Sequence, residues 1–296
     1  MTSQGWPVPI EAPVRRVVPR PLRALRALAA RYPLLLVGAV LVGVLVVLAV
    51  AAPLLVRNSP YQIGLGPSMS PPSAGLWFGT DKLGRDLFAR IVYGSRTTLL
   101  VSIPSVLLAM VFGLGLGLSA GYFGGRTDQV IMRLMDILLA FPSLLLALAI
   151  VAVLGPSIRN LLLTIGILYI PSMARVVRGP VLAAKEREYI TAARTIGAGT
   201  GRILLRHLLP NVLSPIIVDA TLATSRAILV ESALSYLGLG APPPNPSWGE
   251  MLSSSRQFMT SAPWSALFPG LAIVYAATAF ILLGNGLRDW LDPRRR

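Results

Sequence analysis

Uncharged stretches alternate with short polar segments along most of the chain. Five such stretches cover residues 34–56, 97–125, 137–158, 160–174 and 262–287. A helix that crosses a hydrocarbon layer about 30 Å thick needs about 20 predominantly apolar residues. Most of the stretches are long enough. The fourth is short and must extend toward Arg178, through Pro171, which a membrane helix tolerates where neighbouring helices satisfy the freed carbonyl.

A sixth apolar stretch, residues 211–234, is interrupted by Pro215, Asp219 and Arg226. Its length still suits a membrane-spanning helix. The pattern therefore predicts an all-α, polytopic membrane protein with six transmembrane helices.

The segments between the spans divide the chain further. Residues 1–20 are rich in proline and predicted to be disordered. Residues 21–33 carry leucines at three-residue spacing flanked by arginines, which predicts an amphipathic helix at the membrane interface. After the first span, 34–56, we expect an extracytoplasmic segment, 57–96, and a core domain, 97–290, with five spans. The core includes a cytoplasmic loop, 179–210, and an extracytoplasmic loop, 235–262, and a basic cytoplasmic tail, 291–296, follows it.

Charge gives the orientation and limits the partners. Most of the 27 Lys and Arg residues lie in the cytoplasmic segments if both termini are placed in the cytoplasm. Excess Lys and Arg marks the cytoplasmic side, which favours this topology in the cytoplasmic membrane. The net charge of +15 is spread over loops that flank the spans. A nucleic-acid-binding protein would gather such charge on one face, so we expect no nucleic-acid partner.

The sequence offers little catalytic chemistry. It has no cysteine and one histidine, His207, which excludes a disulfide framework, a zinc cluster and a cysteine nucleophile. It also lacks the phosphate-binding pattern G-x-x-x-x-G-K-[ST]. We therefore expect a non-catalytic chain without a metal or cofactor of its own. If ATP drives its function, partner subunits must bind the ATP and its magnesium.

Glycines recur every four residues in the second span, at Gly113, Gly117 and Gly121. A dinucleotide-binding loop would need a preceding strand, which this apolar stretch does not predict. Small residues at this spacing let two membrane helices approach closely, so the glycines predict a packing face.

The loop 179–210 is polar and patterned. Its composition predicts two short helices: Glu186 to Ile196 first, then a second helix capped by Thr200 that ends near Pro210. Gly197 and Gly199 can take the left-handed conformation that ends a helix. Such a helical pair could dock into a groove of another protein, although a loop without a partner is also compatible with the pattern.

Six residues of this loop stand at a distinctive spacing: Thr191, Ala192, Ala193, Gly197, Leu209 and Pro210. The spacing resembles the cytoplasmic signature of ABC importer permease subunits, E-A-A, three residues, G, nine residues, I-x-L-P. Thr191 replaces the glutamate of the signature and His207 its isoleucine, while Glu188 supplies an acidic residue three positions earlier. The resemblance implies that the loop docks on an ATPase subunit, with either Glu188 or Thr191 as the contact.

Three further segments are similar to the C-type subunits of dipeptide, oligopeptide and nickel importers. They are Trp77–Arg96, Glu231–Glu250 and Gly286–Pro293. The extracytoplasmic motif residues within them are Gly79, Thr80, Asp81, Gly84, Arg85, Asp86 and Trp248.

The resemblance implies a type I ABC importer permease fold and a transport assembly in the bilayer. The partners would be a homologous second permease of B type, two ATP-binding subunits and an extracytoplasmic solute-binding protein. Peptide is the expected cargo, with nickel chelates and glutathione-like molecules as alternatives. An ion-coupled secondary transporter is an alternative of another class, but it would need more intramembrane ionisable groups and repeated halves.

The two extracytoplasmic motifs suggest local structures. Asp81 and Asp86 bracket Lys82 and Arg85, which predicts a charge-paired turn at the surface, where each pair would add only about 0–1 kcal/mol. Residues 242–249 are stiffened by prolines and are predicted to present Trp248 at the outer mouth. The alternative is that this loop is only a spacer.

The fifth span carries polar residues on two faces. At 100° per residue, hydroxyl side chains form one stripe, made of Ser214, Thr221, Ser225 and Ser232. Asp219 and Arg226 share a second face about 10 Å apart along the axis. They can pair directly only if Arg226 reaches back. Either these residues line a translocation path or they meet the second permease in an interface.

Overall fold

The computed structural model describes residues 30–292, and all regular structure there is helical apart from an isolated bridge between Thr80 and Asp86. The segment predicted to be disordered, most of the predicted interfacial helix and most of the basic tail lie outside these residues. The helices are α1 Pro33–Val50, α2 Ala52–Leu55, α3 Leu87–Phe123, α4 Gly125–Leu139, α5 Ser143–Leu154, α6 Ile158–Lys185, α7 Glu188–Thr195, α8 Thr200–Tyr236, α9 Trp248–Ser255, a 3₁₀ turn Arg256–Phe258 and α10 Trp264–Leu291.

Five of these helices, α1, α3, α6, α8 and α10, are long and apolar enough to cross a membrane. The pair α4 and α5 makes a sixth span if it is counted as one, but the two helices are bent by 87°. The third predicted span, 137–158, is therefore not one straight helix. Pro142 explains the break, because it lacks an N–H and disfavours helical geometry at the residue before it.

Two spans differ in length from their uncharged stretches. The short fourth stretch becomes α6, which continues through Pro171 to Arg178, as expected, and then beyond the predicted span through Pro180 to Lys185. The helix α3 begins at Leu87, well before residue 97, because the Asp86 side chain accepts a hydrogen bond from the Ala89 N–H at 3.2 Å. An N-cap of this kind satisfies a donor that the first turn leaves open.

The packing face predicted from the glycines is confirmed. Gly113, Gly117 and Gly121 of α3 all face α6. A Cβ atom on Gly117 would lie 2.5 Å from the carbonyl oxygen of Ala174, and one on Gly121 would lie 2.7 Å from the side chain of Val181. The two backbones can approach this closely only because these positions lack side chains.

The second helix of the loop 179–210 does not end near Pro210. Residues Ile203–Leu208 form a π-helical turn that leads directly into the rest of α8, with Pro210 in the first turn of the regular helix. The Leu209 N–H donates to the Leu204 carbonyl, five residues back. A widened turn can accommodate a proline that cannot donate to the fourth residue before it. Thr200 does not cap this helix either, since Gly199 occupies the N-cap position.

Apolar side chains form three clusters along the length of the molecule. One lies at the loop end, which carries residues 57–86 and 237–263, and includes Leu87, Ile228 and Trp248. A second lies in the middle, around Leu161 and Ala227. The third joins α6, α7 and the start of α8 at the opposite end, which we call the α7 end.

The glycine contact between α3 and α6 can be tested with a matched pair of substitutions. We expect Gly117→Ala to destabilise the protein by about 1–3 kcal/mol, because the added methyl group overlaps the backbone of α6. Gly115→Ala should be neutral or slightly stabilising, since nothing lies within 4 Å of its Cβ position. Thermal unfolding in detergent would measure both, and equal effects would contradict the packing role.

Candidate functional site

The turn at the loop end is built around a buried carboxylate. Asp81 accepts hydrogen bonds from the backbone N–H groups of Leu83, at 2.8 Å, and Arg85, at 3.0 Å. Its second oxygen lies 2.6 Å from the Arg85 Nε. Asp81, Arg85 and Asp86 are buried, whereas the sequence predicted exposed pairs, and of the four charged residues in the turn only Lys82 is exposed. The charged turn is therefore part of the folded interior.

Glycine and threonine complete this turn. Gly79 and Gly84 have φ values of +76° and +68°, and a Cβ on either would lie within 2.3 Å of a backbone oxygen. Thr80 is buried, donates to the Pro67 carbonyl at 2.7 Å and accepts from the Ser70 N–H at 2.8 Å. The motif residues thus fix a compact backbone next to the start of α3.

Arg90 holds the turn to α9, a role that no sequence motif predicted. Its guanidinium is buried, with Nη2 3.1 Å from a Glu250 oxygen and Nη1 donating to the Pro60 carbonyl at 3.3 Å. Its Nε is 3.4 Å from Asp81 Oδ2, close enough for charge attraction, although the geometry does not make a hydrogen bond. No local spacing could reveal a pair that joins α3 to a helix so far along the chain.

Trp248 is an internal anchor and is not presented at the surface. Its side chain is 2% exposed, and its indole N–H donates to the Ile91 carbonyl at 2.9 Å. Gly94 leaves room for the ring, since a Cβ there would lie 2.6 Å from the indole nitrogen. The prediction that the loop presents Trp248 at the outer mouth is therefore wrong.

Glu231 is a second buried acidic group at the loop end, and its role was not predicted from the sequence. Its carboxylate is fully buried and accepts hydrogen bonds from four hydroxyl groups. The donors are Ser235 at 2.8 Å, Ser232 at 3.3 Å, Ser247 at 3.3 Å and Thr98 at 3.4 Å. They come from α3, α8 and the residue before α9, so this carboxylate ties three elements together.

At the α7 end, α7 has one buried and one exposed face. Ile190 and Ala193 are buried, and Ile190 joins the apolar cluster that contains Ile203 and Leu208. The exposed face carries Glu188, Thr191, Ala192 and Ile196, the last of which is 85% exposed. The Arg194 guanidinium lies 5.2 Å from the ring centroid of Tyr122 at the end of α3. The helix is therefore attached to α3 and α8, and its other face, which carries both polar and apolar side chains, remains exposed.

Gly197 ends α7 in the left-handed conformation, as predicted, with φ +79°. Its N–H donates to the Arg194 carbonyl at 2.9 Å, and the Ala198 N–H donates to the Ala193 carbonyl at 3.0 Å. This pair of bonds is a Schellman motif, which satisfies the last carbonyls of a helix. Gly199 has an ordinary φ of −66°, contrary to the expectation that both glycines could be left-handed.

Leu209 and Pro210 begin the regular part of α8. Leu209 packs against the apolar cluster at the α7 end, and Pro210 is exposed. Both residues follow the π-helical turn directly, so they join the loop to the fifth span without a break.

Asp219 and Arg226 form a direct ion pair on α8, because Arg226 reaches back along its own helix. Arg226 Nη2 lies 3.2 Å from Asp219 Oδ1, and the side chains of Arg226 and Asp219 are 46% and 19% exposed. The guanidinium also lies 5.9 Å from the ring centroid of Tyr169 on α6. The second Asp219 oxygen is buried and has no hydrogen-bond partner among the described residues.

The hydroxyl stripe predicted on α8 is divided by packing. Ser225 and Ser232 are buried inside the chain, so they cannot line a path or meet another subunit in this arrangement. Ser214 and Thr221 are half-buried, and the Thr221 hydroxyl donates to the Ile217 carbonyl at 2.8 Å. The 100° wheel gives the faces correctly but does not show which neighbouring helix covers them.

Two further ion pairs join α4 to α6 and were not predicted. Arg178 makes a bidentate pair with Asp128, with both N–O distances 2.5 Å, and Arg175 lies 2.5 Å from Asp136. Bidentate pairs fix geometry as well as charge. They hold α4 beside the α7 end, at a sharp angle to α5.

Comparison with known proteins identifies the fold family. Residues 113–296 match the family described as "Binding-protein-dependent transport system inner membrane component". The chain belongs to this family of permeases. The match spans the glycine face, the α7 loop and the charged pair of α8, and it confirms the resemblance drawn from the sequence motifs.

Several relatives are similar over most of their length. A dipeptide transport system permease protein of Alkalihalophilus pseudofirmus is 49% identical over 89% of this chain and 86% of its own. A di/tripeptide transport system permease of Pseudomonas aeruginosa is 47% identical, over 76% and 77%. A glutathione transport system permease of Pectobacterium atrosepticum is 48% identical, over 75% and 74%.

The anchoring role of Trp248 in this permease can be tested against a second tryptophan. We expect Trp248→Ala to destabilise the protein by about 3–5 kcal/mol, because it removes a buried ring. Trp77→Ala should cost far less, since that side chain is 63% exposed. Thermal unfolding in detergent would measure the stability of both variants. A Trp248→Ala variant as stable as Trp77→Ala would contradict the anchoring role of Trp248.

Proposed function

We propose that this permease moves short peptides across the bacterial cytoplasmic membrane as one subunit of an ATP-driven importer. The observation that carries the proposal is the similarity, over most of the chain, to permeases named for dipeptides, di/tripeptides and glutathione. Glutathione is itself a tripeptide, so these named cargoes share peptide bonds and free carboxylates. Nickel chelates, the alternative cargo, have no such support.

The proposed assembly follows from the family. It contains this chain, a homologous second permease, two ATP-binding subunits that hold ATP and magnesium, and an extracytoplasmic solute-binding protein. This chain is proposed to be non-catalytic and to bind no cofactor. Both termini would lie in the cytoplasm, as the excess of Lys and Arg favours. The loop end then faces outward, and exposed Lys82 and Leu83 of the turn at residues 79–86 contribute to the surface offered to the binding protein.

The α7 helix is proposed to dock on an ATP-binding subunit. Glu188 and Thr191 are three residues apart and both exposed, so they belong to one docking surface, and the signature gives no reason to choose between them. Exposed Ile196 adds apolar area to it. Because Ile190 and Arg194 attach α7 to α8 and α3, movement of a docked ATPase would be passed to two spans.

The pair of Asp219 and Arg226 is proposed to face the translocation path. A charge near the bilayer centre costs about 2.5–3.5 kcal/mol or more when it faces lipid, so the half-exposed Arg226 needs a polar surrounding. Ser214 and Thr221 lie on the other polar face of α8, so they are proposed for the path or the subunit interface without a contact to Arg226. Contact with the second permease is the competing assignment for this face.

Reconstitution tests the function directly. The permease, its permease partner and the two ATP-binding subunits would be placed in proteoliposomes with the solute-binding protein, and uptake of a radiolabelled dipeptide would be followed. We expect uptake that requires ATP and the binding protein. Uptake driven by an ion gradient without ATP would instead support a secondary transporter. Uptake of nickel chelates but not of dipeptide would show that nickel chelates are the cargo.

The coupling role of the α7 loop can be tested at two glycines. We expect Gly197→Ala to reduce substrate-stimulated ATP hydrolysis of the assembled complex, because a Cβ at φ +79° costs about 1–2 kcal/mol and strains the end of α7. Gly199→Ala is the matched control, since its φ is −66° and its Cβ position is open. Equal substrate stimulation of ATP hydrolysis in the two variants would contradict the coupling role of the α7 loop.

A further inference from the structure

We propose that Arg226 binds the terminal carboxylate of the transported peptide, and that Asp219 pairs with Arg226 when no peptide is bound. This inference rests on the proposed function and gives the charged pair a specific ligand chemistry. It depends on where the pair lies, which donors it leaves open and how charge is balanced when the ligand enters.

Arg226 lies deep within the span. About 15 Å of helix separates it from Tyr236, the last residue of α8, which is about half the thickness of the hydrocarbon layer. Charged groups at this depth usually face a bundle interior or a watery cavity and mark substrate pathways. The depth therefore fits a contact made in transit, between the outer and inner openings.

The guanidinium has unused hydrogen-bonding capacity. An Arg side chain carries five N–H donors, and among the described residues one of those of Arg226 makes a hydrogen bond, to Asp219 Oδ1 at 3.2 Å. The side chain is 46% exposed, and the ring of Tyr169 lies beside it. A planar fork with a free edge matches the two oxygens of a carboxylate.

Asp219 is a weak competitor for this fork. It contributes one oxygen, while its other oxygen is buried without a hydrogen-bond partner among the residues that the structure describes. A bidentate carboxylate would replace one hydrogen bond with two. The peptide also carries an ammonium group, which can neutralise Asp219 after the exchange. No charge is then left unpaired in the membrane, and the pair re-forms when the peptide leaves.

A thiol introduced beside Arg226 can report its occupancy, because the native chain has no cysteine. Leu229 is 48% exposed and three residues further on, so Leu229→Cys places a thiol on the same side of α8. The rate of labelling by a membrane-impermeant maleimide would be measured on the assembled complex in detergent. The probes are dialanine and its C-terminal amide.

We expect dialanine to slow the labelling and the amide to have little effect. Adding Arg226→Gln should raise the dialanine concentration needed for half protection about tenfold or more, since a charged hydrogen-bonded contact is lost. Arg226→Lys keeps the charge without the planar fork, so its half-protection concentration should lie between those of native Arg226 and Arg226→Gln. Asp219→Asn should change that concentration less than Arg226→Gln does, because it removes the competitor for the fork and, at the same time, the partner of the ammonium group. A purely structural ion pair would show the same effect for both substitutions.

Other outcomes would overturn the inference. Equal protection by dialanine and its amide, or protection that survives Arg226→Gln, would show that Arg226 does not bind the carboxylate. If the Leu229→Cys variant is labelled as a single chain but shielded in the peptide-free complex, the pair lies in the permease interface. If the complex takes up dipeptide with ATP but dialanine and its amide affect the labelling rate equally, only this inference fails. If the complex takes up no dipeptide, the proposed function fails as well.

Discussion

The close approach of α3 and α6 is the constraint on which the rest of the structure depends. Three glycines let the backbone of α3 lie against Met173, Ala174, Val177 and Val181 of α6. In a bilayer the hydrophobic effect does not drive helices together, so packing of this kind has to supply the association. The helix α4 is then tied to α6 by two ion pairs, and α7 is attached to the end of α3 through Tyr122.

The two ends of the molecule use different interactions. At the loop end, buried charges and hydroxyl groups join the turn around Asp81, the start of α3 and α9. At the α7 end, an apolar cluster and a cation–π contact hold a helix whose other face is free. The loop end is thus built to keep its shape, and the α7 end leaves one face of a helix exposed while the helix stays attached to two spans, which suits the proposed docking.

Much of this could be predicted from the sequence. Five of the spans, the glycine face and the left-handed Gly197 follow from local rules of length, spacing and backbone geometry. The failures have a common cause. Trp248, Asp81 and Ser225 were expected to be accessible, but each is buried, which depends on tertiary packing that spacing along the chain does not show. Pro210 was expected to end a helix, and only the π-helical turn before it shows how the helix continues.

The buried carboxylate of Glu231 has a consequence for how the chain is assembled. Thr98, Glu231 and Ser247 belong to α3, α8 and the segment before α9, which a ribosome completes at different times. A carboxylate that leaves water without its donors pays a desolvation cost of several kcal/mol. Ser232 and Ser235 supply two of the donors from the fifth span itself, and the other two come from a helix made much earlier and a loop made just afterwards. The full set of hydrogen bonds to this carboxylate therefore forms only after the segment before α9 has been made.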